Sequence, residues 1–240
     1  MSSPETRVVE ADNAARTAAE RSDPLHVPSS AASALGAVAL ILLGALTAAI
    51  PFVGHAGEGY SPLNHFISEL GETAVSRLAL AFNIGIVVGG SGLGLFLVML
   101  SRHLTGRYRP AIMLAGIVAG TSGSLVGIFP MDNHAVHGLV SGIFFCTGWI
   151  VVALFSTWLV GHPRSGFPRR LVVPGAASVA INLAFLAVYS TYHPMDPNAP
   201  ILQREPIWTV PLLEWASLLG LLAWFVCVSL ALVRQRQPAD

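Results

Sequence analysis

Six runs in this sequence are too long and too apolar for a small water-soluble core. A hydrocarbon slab about 30 Å thick takes about 20 helical residues to cross, at about 1.5 Å per residue. Inside it only a helix or a closed barrel satisfies its own backbone N–H and C=O groups. Runs of this kind fall at residues 31–52, 77–100, 111–129, 135–160, 171–190 and 211–233. The expected fold class is therefore all-α, a polytopic integral membrane protein built as one six-helix transmembrane bundle over 31–233. Composition agrees, with 53% hydrophobic and 11% charged side chains in 240 residues where an ordinary soluble domain has about 25% charged.

The ends read differently. Residues 1–30 are polar, rich in Ala and Ser and mixed in charge, too poor in apolar surface to offset the entropy of ordering, and are expected to form a mobile tail. Residues 234–240 form a second short tail.

Orientation follows from the arginines, which account for every basic residue in the chain. Arg102, Arg107 and Arg109 follow the second run, Arg164, Arg169 and Arg170 the fourth, and Arg234 and Arg236 the last. In a six-span chain these regions share one side, which the positive-inside rule makes cytoplasmic, so both termini are expected on the cytoplasmic side of the cell membrane. Net formal charge is zero and no basic stripe is present, which argues against a nucleic-acid partner. The bilayer is the expected partner, with a lipidic or small-molecule ligand as its guest; nothing in the sequence speaks to oligomeric state.

The opposite side collects ionisable residues. Glycines four apart (Gly85/Gly89, Gly90/Gly94, Gly116/Gly120, Gly123/Gly127 and Gly138/Gly142) predict close packing among the second, third and fourth spans. Cys146 and Cys227 lie in apolar runs and read as packing residues. Asn83 and Asn182, inside the second and fifth spans, are expected to hydrogen-bond between helices.

Two stretches carry candidate chemistry. In "FPMDNHAVHG", Phe129 to Gly138, Pro130 ends one helix and Asp132 or Asn133 can cap the next. His134 and His137, three apart on that helix, fall on one side. In "SPLNHFISELGETAVSR", Ser61 to Arg77, His65 and Glu69 would share a face of a short interfacial helix, with Ser68 beside them. The plainer reading of that stretch is a solvated helix capped by Ser61, with Glu72 paired to Arg77.

Together these give a candidate metal set, His65, His134 and His137, for zinc or another divalent ion, with Glu69 or Asp132 as the catalytic base. No contiguous zinc signature supports it. Ser68, His193, Asp196 and Glu214 complete a polar pocket on the same side. Glu214 stands either as a first-turn acid favouring the helix dipole or as a partly buried carboxylate on a substrate path. The repeated "PMD" at Asp132 and Asp196 hints at related helical hairpins. Haem is disfavoured because the histidines cluster at helix ends.

Ser68, Glu69, Leu70 and Gly71, with Phe129, Pro130, Asp132 and His137, carry a resemblance. From about residue 31 onward the chain resembles the bacterial membrane proteins grouped as domain of unknown function 998, which have a "SELG"-like element after the first span and an "FP.D....H"-like element between the third and fourth. That resemblance implies the fold and leaves the activity open. A more distant similarity, to the ceramidase and adiponectin-receptor hydrolases, implies zinc held by histidines and an aspartate at one membrane face; this chain departs from them in its six spans, its closer histidine pair and its last helix. Three functions therefore stand: a metal-assisted hydrolase of a lipid-like substrate, a proton-coupled carrier or sensor of a small or lipidic molecule, and a non-catalytic lipid- or partner-binding scaffold.

Overall fold

The computed structural model describes residues 26–191 and 205–235, and these form six long helices joined by tight connections. They are α1 (His26–Ala49), α2 (Ala79–Ser101), α3 (Tyr108–Ile128), α4 (His134–Gly161), α5 (Val172–Thr191) and α6 (Thr209–Arg234). All six are long and apolar enough to cross a membrane. No strand occurs among the described residues; one isolated antiparallel bridge joins Phe52 to Ser76. Helix α1 starts at His26, inside the stretch read as tail, and stops at Ala49, three residues before the expected end. Pro51 follows two residues on, and its ring disfavours helix in Ile50 before it.

Each helix packs on its successor, and α6 returns to pack on α1, so the six close into a ring. Large apolar side chains point outward from every helix, among them Leu43, Leu80, Leu114, Leu139, Val173 and Leu219. An apolar surface of that extent belongs against lipid. The core runs along the ring's inside through Phe96, Phe155, Trp158 and Trp224, each at most 2% exposed.

With lipid outside and apolar side chains inside, helix association depends on close packing and hydrogen bonds more than on escape from water. Glycine supplies the closeness where α1, α2 and α3 meet. A Cβ added at Gly94 would sit 3.0 Å from the Cα of Gly120, and one at Gly90 would sit 2.6 Å from the Ser124 nitrogen. Gly85 faces the Leu40 carbonyl of α1 and Gly127 the Asn83 carbonyl of α2. Hydroxyls then stitch the same seams: Ser33 donates to Gly92 O at 2.8 Å and Ser124 to Val87 O at 3.1 Å.

The tight group is thus α1 to α3, which corrects the expectation of the second to fourth spans. Gly138 and Gly142 meet nothing within 4 Å, because this stretch of α4 turns them away from its neighbours. Both cysteines are free, Cys146 exposed on the outer surface and Cys227 half-buried against the core.

These seams make two substitutions diverge. Gly94→Val forces backbone atoms of α2 and α3 apart and should destabilise the bundle by about 1–3 kcal/mol, lowering the melting temperature of the detergent-solubilised protein. Gly138→Ala, with open space around it, should leave that temperature unchanged or raise it slightly.

Candidate functional site: a capped cavity inside the helix ring

At one end of the ring the connection between α1 and α2 folds inward. Its backbone pairs with itself where Val53 N–H donates to Val75 O at 2.8 Å, and Gly57, at φ 85°, makes the turn that Gly54 and Glu58 close. Ser76 Oγ ties the return strand to the end of α1 through Ala48 O at 2.8 Å. The middle of this connection, Ile67–Gly71, is a 3-10 turn with all five residues buried. The "FISEL" stretch is therefore no helix lying in the interface but a plug pushed into the mouth of the ring.

Buried backbone groups need partners, and they identify what holds the plug. Glu214, 6% exposed on α6, accepts the Ile67 N–H at 2.8 Å and the Ser68 hydroxyl at 3.2 Å. Asn83 of α2 donates to Gly71 O at 3.0 Å. Glu69 turns back on its own segment and accepts the Phe66 N–H at 2.9 Å. Tyr60 donates to Phe66 O at 3.1 Å and in turn accepts the Trp215 indole N–H at 2.8 Å.

The other connections join at this end. Thr73 donates its hydroxyl to Asp132 at 2.6 Å and its N–H to the same carboxylate at 3.2 Å. Asn64 donates to Glu205 O at 3.0 Å, and Trp208 N–H donates to Leu63 O at 2.8 Å. Segments 50–78, 129–134 and 205–208 thus form one roof. The spatial meeting of separate connections expected from sequence is present, with different partners in the middle.

Under the roof lies a cavity of about 50 Å³. Its walls are apolar, including Ile41, Phe82, Ile86, Leu93 and Phe144, and its polar members are Ser68, His137, Ser141 and Glu214. A second, smaller space of about 20 Å³ continues from it along the ring, sharing Gly90, Leu93 and Phe144 as walls. His137 is 8% exposed, and its Nδ1 lies 2.9 Å from Phe129 O. A carbonyl only accepts, so Nδ1 carries the proton, and Nε2 is left as a lone-pair acceptor.

The remaining candidates sit elsewhere or do other things. Asp132 is exposed and holds Thr73, while Asn133 caps α4 by accepting Val136 N–H at 3.4 Å. His134 is exposed at the start of α4. His65 is 1% exposed but spent: its Nε2 is 3.3 Å from Glu58, its Nδ1 is 2.8 Å from Asn64 Oδ1, and Phe52 packs edge-on against the ring at 5.2 Å. Glu72 lies 3.0 Å from His55 instead of pairing with Arg77. His193 and Asp196 fall outside the described residues, and the "PMD" repeat with them.

No group of three or more His, Cys, Asp or Glu side chains among the described residues is arranged to hold a metal ion. His65, His134 and His137 are not brought together, because each is directed by a different local requirement: a loop pairing, the solvent side of a helix start, and a carbonyl inside the ring. Asn182 does bridge helices as expected, donating to Ser178 O at 3.1 Å and Ser217 O at 3.4 Å. Asn83 binds the plug instead. Sequence reading missed Ser141, which lies one turn after His137 on the same helix face and was legible by that spacing. It also missed Tyr60 and Trp215, whose pairing across 155 positions leaves no local signal.

The family comparison is decided by residues 41–231, which match the family described as "Protein of unknown function (DUF998)". The chain belongs to the DUF998 family. No curated protein and no solved structure matches it. The matched region of this DUF998 protein takes in the plug, the roof and every wall of the cavity, so the site lies within the family unit and not in an appended segment.

The plug's hydrogen bonds set an expectation for stability. Glu214→Ala leaves a buried N–H and a buried hydroxyl without their acceptor and should cost about 2–6 kcal/mol, about 1–3 for each group. Asp132→Ala, at an exposed position where water replaces the carboxylate, should cost less than half as much. Paired thermal melts of the two variants against wild type check the order.

Proposed function

We propose that this protein is a membrane binding protein, working as a carrier or sensor, for a small amphipathic molecule whose apolar part occupies the ring cavity and whose polar head meets Glu214, His137 and Ser68. The observation that carries this reading is a buried carboxylate at one end of an apolar cavity inside the ring, hydrogen-bonded to the plug that lies over that cavity. Ionisable groups at membrane depth are costly and mark binding or transport paths. Pockets with a few convergent polar groups on apolar walls are the usual form of small-molecule sites.

The size fits a modest guest. One water needs about 10–15 Å³ of such volume, so the larger cavity, about 50 Å³, takes on the order of four waters' worth, the bulk of about four non-hydrogen atoms. The smaller space beyond Leu93 extends the room for a tail. By the distribution of arginines, the roof faces away from the cytoplasm and both termini face it, in the cell membrane. A ligand then enters from the outer leaflet or the outside, past the plug. The metal-assisted hydrolase reading has lost its ligand set, and the scaffold reading gives no account of an apolar cavity beside a buried carboxylate.

A probe without a head tests the cavity alone. Xenon under pressure, a guest small enough for the cavity, should raise the melting temperature of the protein in lipid nanodiscs by about 2 °C or more at saturation, because a ligand of the folded state stabilises it by mass action. Leu93→Trp, which fills the shared wall of both spaces, should melt cooperatively and show no such rise. A rise of equal size in both proteins would assign the effect to the bilayer and remove the reading.

A further inference from the structure

We propose that the ligand of this cavity carries a basic amino head, a lipophilic amine protonated in water. The inference rests on the binding reading above and adds the chemistry of the head.

Hydrogen-bond accounting leaves the polar residues that line the cavity with spare acceptors and no spare donor. Ser68 gives its proton to Glu214 at 3.2 Å, and Ser141 gives its proton to Gly138 O at 3.3 Å. His137 gives its Nδ1 proton to Phe129 O, which leaves the Nε2 lone pair. A carboxylate has about four lone-pair sites, and the Ile67 N–H, the Ser68 hydroxyl and the Ser68 N–H occupy three of those on Glu214, which leaves one. No arginine lines the cavity, and the chain has no lysine.

Three head chemistries can be weighed against that set. A carboxylate or phosphate head would bring a second acid against Glu214 in a low-dielectric space, with no cation to separate them. A hydroxyl brings one donor proton. An ammonium brings three donors and the opposite charge, forming a charge-assisted bond to the carboxylate and a further bond to Nε2. The proton balance closes without a co-reactant: ammonium with carboxylate, or amine with carboxylic acid, is the same neutral pair sharing one proton. Apolar walls then take the chain.

Isothermal titration of n-hexylamine, n-hexanol and hexanoate into the protein in phosphatidylcholine nanodiscs, with empty discs subtracted, reads the head directly. Hexylamine should bind about tenfold or more tighter than hexanol, and hexanoate should not bind. Glu214→Gln keeps an acceptor oxygen for the plug, and its fold is checked by a cooperative melt; it should retain hexanol binding and lose the preference for the amine. Equal affinity for amine and alcohol in the wild type, or an amine preference that survives Glu214→Gln, overturns the inference while leaving the cavity reading in place. Failure of all three compounds to bind overturns both.

Discussion

One carboxylate organises this end of the molecule. Glu214 rises from the last helix and accepts hydrogen bonds from a turn 147 and 146 positions earlier. Bonds of this kind, neutral donors to an ionisable acceptor away from water, contribute about 1.5–3 kcal/mol each. Their larger effect is geometric. Without an acceptor there, the Ile67 N–H would have to find water, and the buried turn would have to leave the mouth of the ring. The plug, the roof that braces it and the cavity beneath them all follow from that pairing.

The ring explains why a cavity exists at all. Close approach is concentrated on the α1–α2–α3 side, where glycine lets backbones touch. Across the ring α4 and α6 make only slight contact, so large side chains such as Phe144 and Leu218 leave space between them that neither helix closes. Tight packing on one flank and loose packing on the other is a way to build a stable bundle around a site. The same contrast places the apolar walls along the bundle and the polar groups at its capped end, which is the polarity of an amphipathic guest.

Much of the architecture was legible because hydrophobic length is a strong signal in lipid. The six spans were readable from their apolar runs, and Pro51 accounts for the end at which α1 departed from the expected boundary. The meeting of separate connections at one end of the bundle was legible from the crowd of His, Asp and Glu there. Their roles were not. Glu69 and Asp132 looked like candidates for a catalytic base but serve as acceptors for Phe66 and Thr73, and His65 looked like a ligand but is enclosed by Glu58, Asn64 and Phe52. Local spacing says which side of a helix a residue occupies, not which way a connection folds. Ser68 and Glu214, 146 positions apart, ranked as secondary in the sequence because nothing nearby in the chain announces their contact.

Hydrogen exchange at the backbone of residues 66–71, followed in lipid nanodiscs, addresses the Glu214 pairing most directly. If the plug is held as described, the Ile67 amide exchanges slowly in the wild type, at a rate set by opening of the bundle, and becomes fast when Glu214 is replaced by Ala while amides in mid-helix α2 stay protected. Rapid exchange at Ile67 in the wild-type protein, or protection indifferent to Glu214, would contradict the account.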